Sequence, residues 1–405
     1  MSSFEIFRNK KNKEYTENDI SEHYKKLSSR CAVLKWLSLT ALIVFVIVSV
    51  SQRGDDLSLD NVRYIIRHFG EKQASLVETG DGVAYDYDDK NQAYVIGDDF
   101  AIVGNSGIVI FDYAGDILFK DSFNFDSPSA ATYGNELILY NVGGKEVRFY
   151  NSYTMLKRLS FDSPVYKVSV SDNGNYLIQT ATEGYRSGVQ VYDDDKDLIF
   201  KHNFGELSLQ SSAISKNGQF VACASFSSLS NIVSTSLVVY DISQVEPIGQ
   251  ISFDGEYPIS IEFINNDFIV LFTNKGVRGY NLDLNMVFFN HYGNRSPQKY
   301  KISDDKIVIS YTKSLFEQTT EIEIASKKGE VIQTFNVPYS VVDFELEGDY
   351  AHILSGSLVE TFSLSKNNIL NSHETKSKFF HLIKISNNKF MLSSPERAEL
   401  FIYNN

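Results

Sequence analysis

A short polar turn between two apolar strands recurs eight times in this chain at a nearly constant interval. It reads IGDDFAIV (96–103), TYGNELIL (132–139), VSDNGNYLI (170–178) and ISKNGQFVA (214–222). It continues as FINNDFIV (263–270), ISDDKIVI (302–309), LEGDYAHI (346–353) and ISNNKFML (385–392). Asn, Asp and Gly tolerate the positive φ that tight hairpins need. Between Phe100, the first apolar residue after the first turn, and its counterpart Phe390, seven intervals cover 290 residues, a mean near 41. Repeats of about 40–45 residues, each a four-stranded antiparallel unit, build β-propellers. The expected fold is therefore all-β, an eight-bladed β-propeller of four-stranded antiparallel blades. Seven blades is the fallback if a weaker unit such as 337–377 packs irregularly.

Two further patterns keep the same period. An apolar-aromatic strand ends at its own turn in VIFDYAG (109–115), VRFYN (147–151), VQVYDDD (189–195), LVVYDIS (237–243) and VRGYNLD (277–283). Weaker copies are IEIASKKG (322–329), LVETFSLS (358–365) and ELFIYNN (399–405). Pro128, Pro164, Pro258, Pro297 and Pro338 each precede the first strand of a repeat, where a missing N–H costs no ladder bond. The eighth unit reaches only its third strand, Glu399–Tyr403. The strand Val83–Tyr87 is expected to supply its fourth and so to close the ring, leaving no long edge open to aggregation.

Ahead of the repeats lies an apolar run, Cys31–Val50, whose only charge is Lys35. Twenty such residues in a helix rise about 30 Å, the thickness of a bilayer's hydrocarbon core. Through Lys35 there are eight Lys/Arg and five Asp/Glu, a net of +3; the whole chain carries −13, so the remainder carries −16. Positive residues stay cytoplasmic, which predicts an uncleaved single-pass signal-anchor at the cell membrane, N-terminus inside and propeller extracytoplasmic. The expected organisation is a basic cytoplasmic tail with a juxtamembrane helix (1–30), a transmembrane helix (31–51), a linker with a short amphipathic helix at 60–69 (52–81), and the propeller (82–405). The two cysteines, Cys31 and Cys223, fall on opposite sides of this boundary, so the outer domain holds together without an internal disulfide.

Composition and motifs exclude several function classes. An acidic body is unsuited to nucleic acid or anionic lipid through bulk charge. The seven histidines are scattered singly, and no His-Glu-x-x-His, G-x-x-x-x-G-K or G-x-S-x-G pattern occurs. Gly104-Asn105-Ser106-Gly107 reads as a strand-to-strand turn. Asp193, Asp195 and Asp197 alternate as in a calcium loop, but the sixth-position glycine and terminal acid are missing, so they read as a solvated turn. No catalytic, metal or cofactor residue is expected.

Three second-to-third-strand connections are long: Thr182–Gly188, Phe226–Ser236 and Thr312–Thr320. Extra loop on one face of a rigid scaffold is where binding tends to sit. Tyr185, Arg186, Phe226, Leu229, Ile232 and Phe316 are the expected partner-binding residues, being of the types that form interface cores. First strands of several blades also carry Lys167, Glu262, Lys299, Lys301, Asp343 and Glu345, which could line a central channel.

The blades lack the Trp-Asp dipeptide of WD repeats, and the only tryptophan, Trp36, is in the apolar run. LSLDNVRYIIRHFG (57–70), the GDG of 80–82, FDYAG (111–115) and TEGYRSGVQVYD (182–193) together resemble an uncharacterised family of single-pass, membrane-anchored propeller proteins of clostridia-like bacteria, a domain of unknown function (5711). The resemblance implies the same architecture and brings no activity with it. The expected function is a non-enzymatic scaffold recruiting a protein or glycan of the cell envelope. The alternative is a propeller enzyme or ligand sensor acting through the central channel. Removal of residues 1–52 is expected to leave a chain that folds alone, checked by a cooperative, reversible melt.

Overall fold

The polar turns do what their chemistry requires. Asp304 and Asp305 both take positive φ, 50° and 55°, the type I′ pattern that suits a right-handed strand twist. Gly97, Gly134 and Gly348 adopt φ of 53°, 51° and 57° at equivalent turns. The computed structural model describes residues 28–29, 31–41, 43–44, 82–86, 88–229, 232–312 and 319–403. The chain divides into two units, Met1–Gly70 and Glu71–Asn405.

In the second unit the turns join thirty-two strands into eight four-stranded antiparallel sheets. A two-residue strand comes first, β1 (Val83–Ala84). Blade 1 is β2–β5 (Gln92–Ile96, Asp99–Gly104, Gly107–Asp112, Ile117–Ser122), and blade 2 is β6–β9 (Pro128–Tyr133, Glu136–Asn141, Glu146–Tyr150, Met155–Ser160). Blade 3 is β10–β13 (Val165–Val170, Tyr176–Thr182, Tyr185–Tyr192, Leu198–Phe204). Blade 4 is β14–β17 (Ser208–Ile214, Phe220–Leu229, Ile232–Asp241, Pro247–Asp254). Blade 5 is β18–β21 (Pro258–Phe263, Phe268–Thr273, Gly276–Asn281, Met286–His291). Blade 6 is β22–β25 (Ser296–Ser303, Lys306–Thr312, Thr320–Ala325, Val331–Val337). Blade 7 is β26–β29 (Asp343–Glu347, Tyr350–Ser355, Leu358–Ser363, Asn368–Glu374). Blade 8 takes three consecutive strands, β30–β32 (His381–Ser386, Lys389–Ser393, Arg397–Ile402), and β1 as its fourth. Eight blades form, and the unit around 337–377 packs as regularly as the others.

The closure is as expected, although its strand is shorter than Val83–Tyr87. Val83 pairs with Ala398 and Ala84 with Arg397. Beyond the ladder, the Tyr85 N–H donates to the Glu396 carbonyl at 3.0 Å, and its hydroxyl donates to the Ser394 carbonyl at 2.6 Å. At Gly82 a Cβ would lie 2.1 Å from the Ala398 carbonyl oxygen, so only glycine lets the strand in this closely.

Each seam between neighbouring blades holds one apolar cluster, eight seams and eight clusters. Between blades 4 and 5 lie Ala222, Leu237, Ile261 and Leu271. Blades 7 and 8 share Leu354, Val359, Phe390 and Phe401, and Phe100, Phe111 and Met391 span the last seam, from blade 8 to blade 1. Because both faces of every sheet are covered, the second strands are buried along their length, as in β3 and β19, instead of alternating.

In the first unit a helical segment covers 31–41. Its apolar side chains, Leu34, Trp36 and Leu37 among them, are exposed. Among the described residues no helix is long and apolar enough to cross a membrane; residues 42 and 45–50 of the apolar run lie outside the description. So do the expected 60–69 helix and most of the 1–30 tail.

His352, wholly buried in the seam of blades 7 and 8, bonds Thr361 Oγ1 through Nδ1 at 2.9 Å and packs on Phe390 with ring centroids 4.3 Å apart. Burial, with Lys384 nearby, pushes its imidazole down from 6.5 to about 4. Between those values the unfolded chain binds more protons than the folded one. Stability present above pH 6.5 is therefore lost as pH falls toward 4, by up to about 3 kcal/mol from this ring. Chemical denaturation across that range is expected to show this slope in the native chain and a shallower one in His352→Gln.

Candidate functional site

Antiparallel connection sorts the loops by end. Second-to-third-strand hairpins and blade-to-blade crossovers emerge at one end of the ring, here termed the crossover end. First-to-second and third-to-fourth turns emerge at the other. Among the described propeller residues twenty large apolar side chains are exposed, and eleven of them sit on the outermost strands, within three residues of the third-to-fourth turns. Of the remaining nine, Val245 lies within a third-to-fourth turn and eight lie at the crossover end. Six of those eight belong to three consecutive blades: Tyr166, Tyr185, Phe226, Ile232, Tyr257 and Ile259. This is the candidate site, an apolar and aromatic patch on blades 3 to 5.

The sequence-based candidates fall here differently from expected. The stretches 182–188 and 226–236 are not loops. β11 and β12 continue to a turn at 183–184, and β15 and β16 run ten residues each, with Leu229 paired to Ile232. Phe226, Ile232, Val233 and Thr235 are residue types that suit a pleated ladder, so the additional residues make a taller hairpin. Tyr185, Arg186, Phe226, Leu229 and Ile232 are thus strand residues. Tyr185, Phe226 and Ile232 are 50%, 41% and 53% exposed, and Arg186 is also exposed. Phe316 lies outside the described residues. Sequence reasoning missed Tyr166, Tyr257 and Ile259. A signal did exist: each stands within two residues of a proline that opens a first strand.

Tyr166 and Ile259 owe their exposure to β-bulges. Four consecutive first strands are bulged at the same point, after Val165, Leu209, Pro258 and Pro297. The bulged residues Tyr166, Gln210, Ile259 and Gln298 are all exposed. A bulge re-aims the side chains on either side of it. The residues that follow are Lys167, Ser211, Ser260 and Lys299.

Those first strands form the inner ring, and β30 meets β2 to complete it. Being sheet edges, they are joined by side chains. Lys299 pairs with Asp343 at 2.7 Å across the seam of blades 6 and 7, and Lys301 pairs with Glu345. Ser303 accepts the Leu346 N–H at 2.9 Å, and Asp343 accepts the Leu382 N–H at 2.9 Å. Four of the six inner-strand candidates, Lys299, Lys301, Asp343 and Glu345, therefore bind blade to blade. Lys167 donates to Ser211 Oγ at 3.0 Å, and Glu262 lies 3.5 Å from the Ser260 hydroxyl.

The crossover from blade 4 to blade 5, beside the patch, is braced by Arg278. Arg278 lies over Phe253 and Phe289, 4.3 and 3.9 Å from the ring centroids, and its Nη2 donates to Glu256 at 2.6 Å. Burial pushes the Glu256 carboxyl up, but Arg278 and Thr273 outweigh it and hold it below the usual carboxylate range. Glu256 is buried, so removing its partner strands a charge. Arg278→Leu is expected to lower the unfolding free energy by about 3 kcal/mol in equilibrium denaturation.

Among the described residues no group of three or more His, Cys, Asp or Glu is placed to hold a metal ion. Asp193 and Asp197 close a hairpin turn, with the Asp193 carboxylate accepting the Asp197 N–H at 2.8 Å. Gly104 and Gly107 likewise flank the turn between β3 and β4.

Comparison with solved structures returns propellers of low identity. Sqt1 of Saccharomyces cerevisiae superposes with a TM-score of 0.60 at 10% identity, covering 81% of this chain and 100% of that one. Sqt1 of Chaetomium thermophilum, solved bound to the N-terminus of the ribosomal protein L10, gives 0.57 at 12%, covering 80% and 100%. BamB from Moraxella catarrhalis gives 0.54 at 10%, covering 80% and 99%. These likenesses establish the fold. No curated protein matches in sequence. Residues 72–400 match the Family of unknown function (DUF5711), and the chain belongs to that family.

Proposed function

We propose that this protein is a non-enzymatic interaction scaffold of the bacterial cell envelope. The propeller binds a protein or glycan through the crossover end of blades 3 to 5, and the apolar run Cys31–Val50 holds it at the cell membrane, N-terminus inside and propeller outside. The observation that carries the reading is a cluster of six exposed apolar and aromatic side chains, Tyr166, Tyr185, Phe226, Ile232, Tyr257 and Ile259, at the crossover end of three consecutive blades. Aromatic and arginine side chains, here the exposed Tyr185, Phe226 and Arg186, are the types that anchor interface cores. The likeness to Sqt1, solved with a protein segment bound, supports a protein partner. The exposed apolar helix at 31–41 and the charge step across it support the membrane tether.

One observation favours a second reading, a ligand sensor acting through the channel: Lys167 and Glu262 lie on the inner strands outside the blade-to-blade ion pairs.

Crosslinking in intact cells tests the first reading. Phe226→Asp and Arg186→Glu are each expected to reduce partner capture at least about tenfold, as for hot-spot residues, with an unchanged melting temperature. Normal capture by both variants places the partner elsewhere.

A further inference from the structure

We propose that the channel wall of blades 3 to 5 is a binding site for a small zwitterion of the amino-acid class, its carboxylate taken by Lys167 and Ser211 and its ammonium by Glu262 and Ser260. This rests on the channel reading and is independent of the docking face.

The carrying observation is a break in a regular pattern. Lys167, Ser211, Ser260 and Lys299 each follow the bulge of their strand and so occupy one tier of the ring. Two residues on, Glu262 and Lys301 share the next tier. On blades 6 and 7 both tiers are closed by ion pairs, Lys299 with Asp343 and Lys301 with Glu345. The same spacing of 44 residues carries Lys167 to Ser211, so a hydroxyl stands where the other seam has a carboxylate. Ser211 is buried, and its oxygen also lies 3.3 Å from the Ile261 N–H, which fixes it between blades 4 and 5.

Among the described residues neither Lys167 nor Glu262 closes an ion pair of its own; Glu262 has only the Ser260 hydroxyl, at 3.5 Å. Both are hemmed in by protein yet keep part of their surface open. Burial pushes the Lys167 ammonium down against the pull of Glu262. It pushes the Glu262 carboxyl up against Lys167 and, more weakly, Lys301. Each group is thus held in surroundings that disfavour its charge, with the countercharge too far away for contact. A ligand carrying both countercharges relieves both at once. A monovalent anion or cation relieves one and leaves the other. β-Bulges often re-aim side chains next to binding sites.

The test uses the full chain in detergent and the twenty L-amino acids, β-alanine and γ-aminobutyrate as separate probes, with acetate and methylammonium as single-charge controls. Melting shifts select the best probe, and calorimetry measures it. At least one zwitterion is expected to bind, with Lys167→Met and Glu262→Gln each weakening it about tenfold or more, and Phe226→Asp leaving it unchanged. Each variant's own melt reports whether it is folded, and Ser260→Ala, at a half-exposed hydroxyl, gives a milder loss if the ammonium sits as stated. Acetate binding lost in Lys167→Met but kept in Glu262→Gln overturns the zwitterion and keeps a channel anion site. The absence of a shift with any probe overturns both.

Discussion

Apolar packing between neighbouring sheets is the interaction on which everything else in the propeller depends. Each blade is covered on both faces by its neighbours, so no blade has a core of its own. Such a stack is stable only if it has no first and last member. Two residues, Val83 and Ala84, meet that condition by hydrogen-bonding to β32, and the seam they complete buries Phe100, Phe111 and Met391. The hydrophobic gain at the seam far exceeds that of the short ladder itself, which acts chiefly to hold the two blades in register.

A ring held at its seams leaves its two ends under different constraints. Seven of the eight first-to-second turns at the turn end take positive φ, so Gly, Asn and Asp fill them and their lengths vary little. The crossover end has positive-φ glycines as well, Gly184 and Gly255 among them, but its hairpins differ in height from blade to blade. There β15 and β16 rise to ten residues, bulges turn Tyr166 and Ile259 outward, and Arg278, lying over two phenylalanines, holds Glu256. Variation in hairpin height and bulge position changes this surface without touching a seam. That freedom, joined to rigidity, is what a recognition surface needs.

The inner ring presents the opposite case. Its strands are sheet edges with backbone groups left over from the ladders, and side chains of the preceding blade satisfy them, as Asp343 does for Leu382 and Ser303 for Leu346. Charge there is mostly structural. Lys167 and Glu262 stand apart because the seam chemistry that neutralises Lys299 and Lys301 is missing around them.

Much of this architecture was legible in the amino-acid sequence. The eight turns, the prolines before first strands and the missing fourth strand are local matters of φ, hydrogen-bond donors and alternation, and they determined the fold, the number of blades and the closure. The tall hairpins were misjudged as loops, because Ser-Ser-Leu-Ser-Asn reads as connection until its partner strand is known. Only the tertiary structure decided that Phe226 and Ile232 project from a ladder, that Tyr166 and Ile259 are turned out by bulges, and that Lys167 faces a serine while Lys299 faces an aspartate. Those outcomes depend on which residues of different repeats come into register across a seam, and register between distant strands is set by packing, not by local sequence.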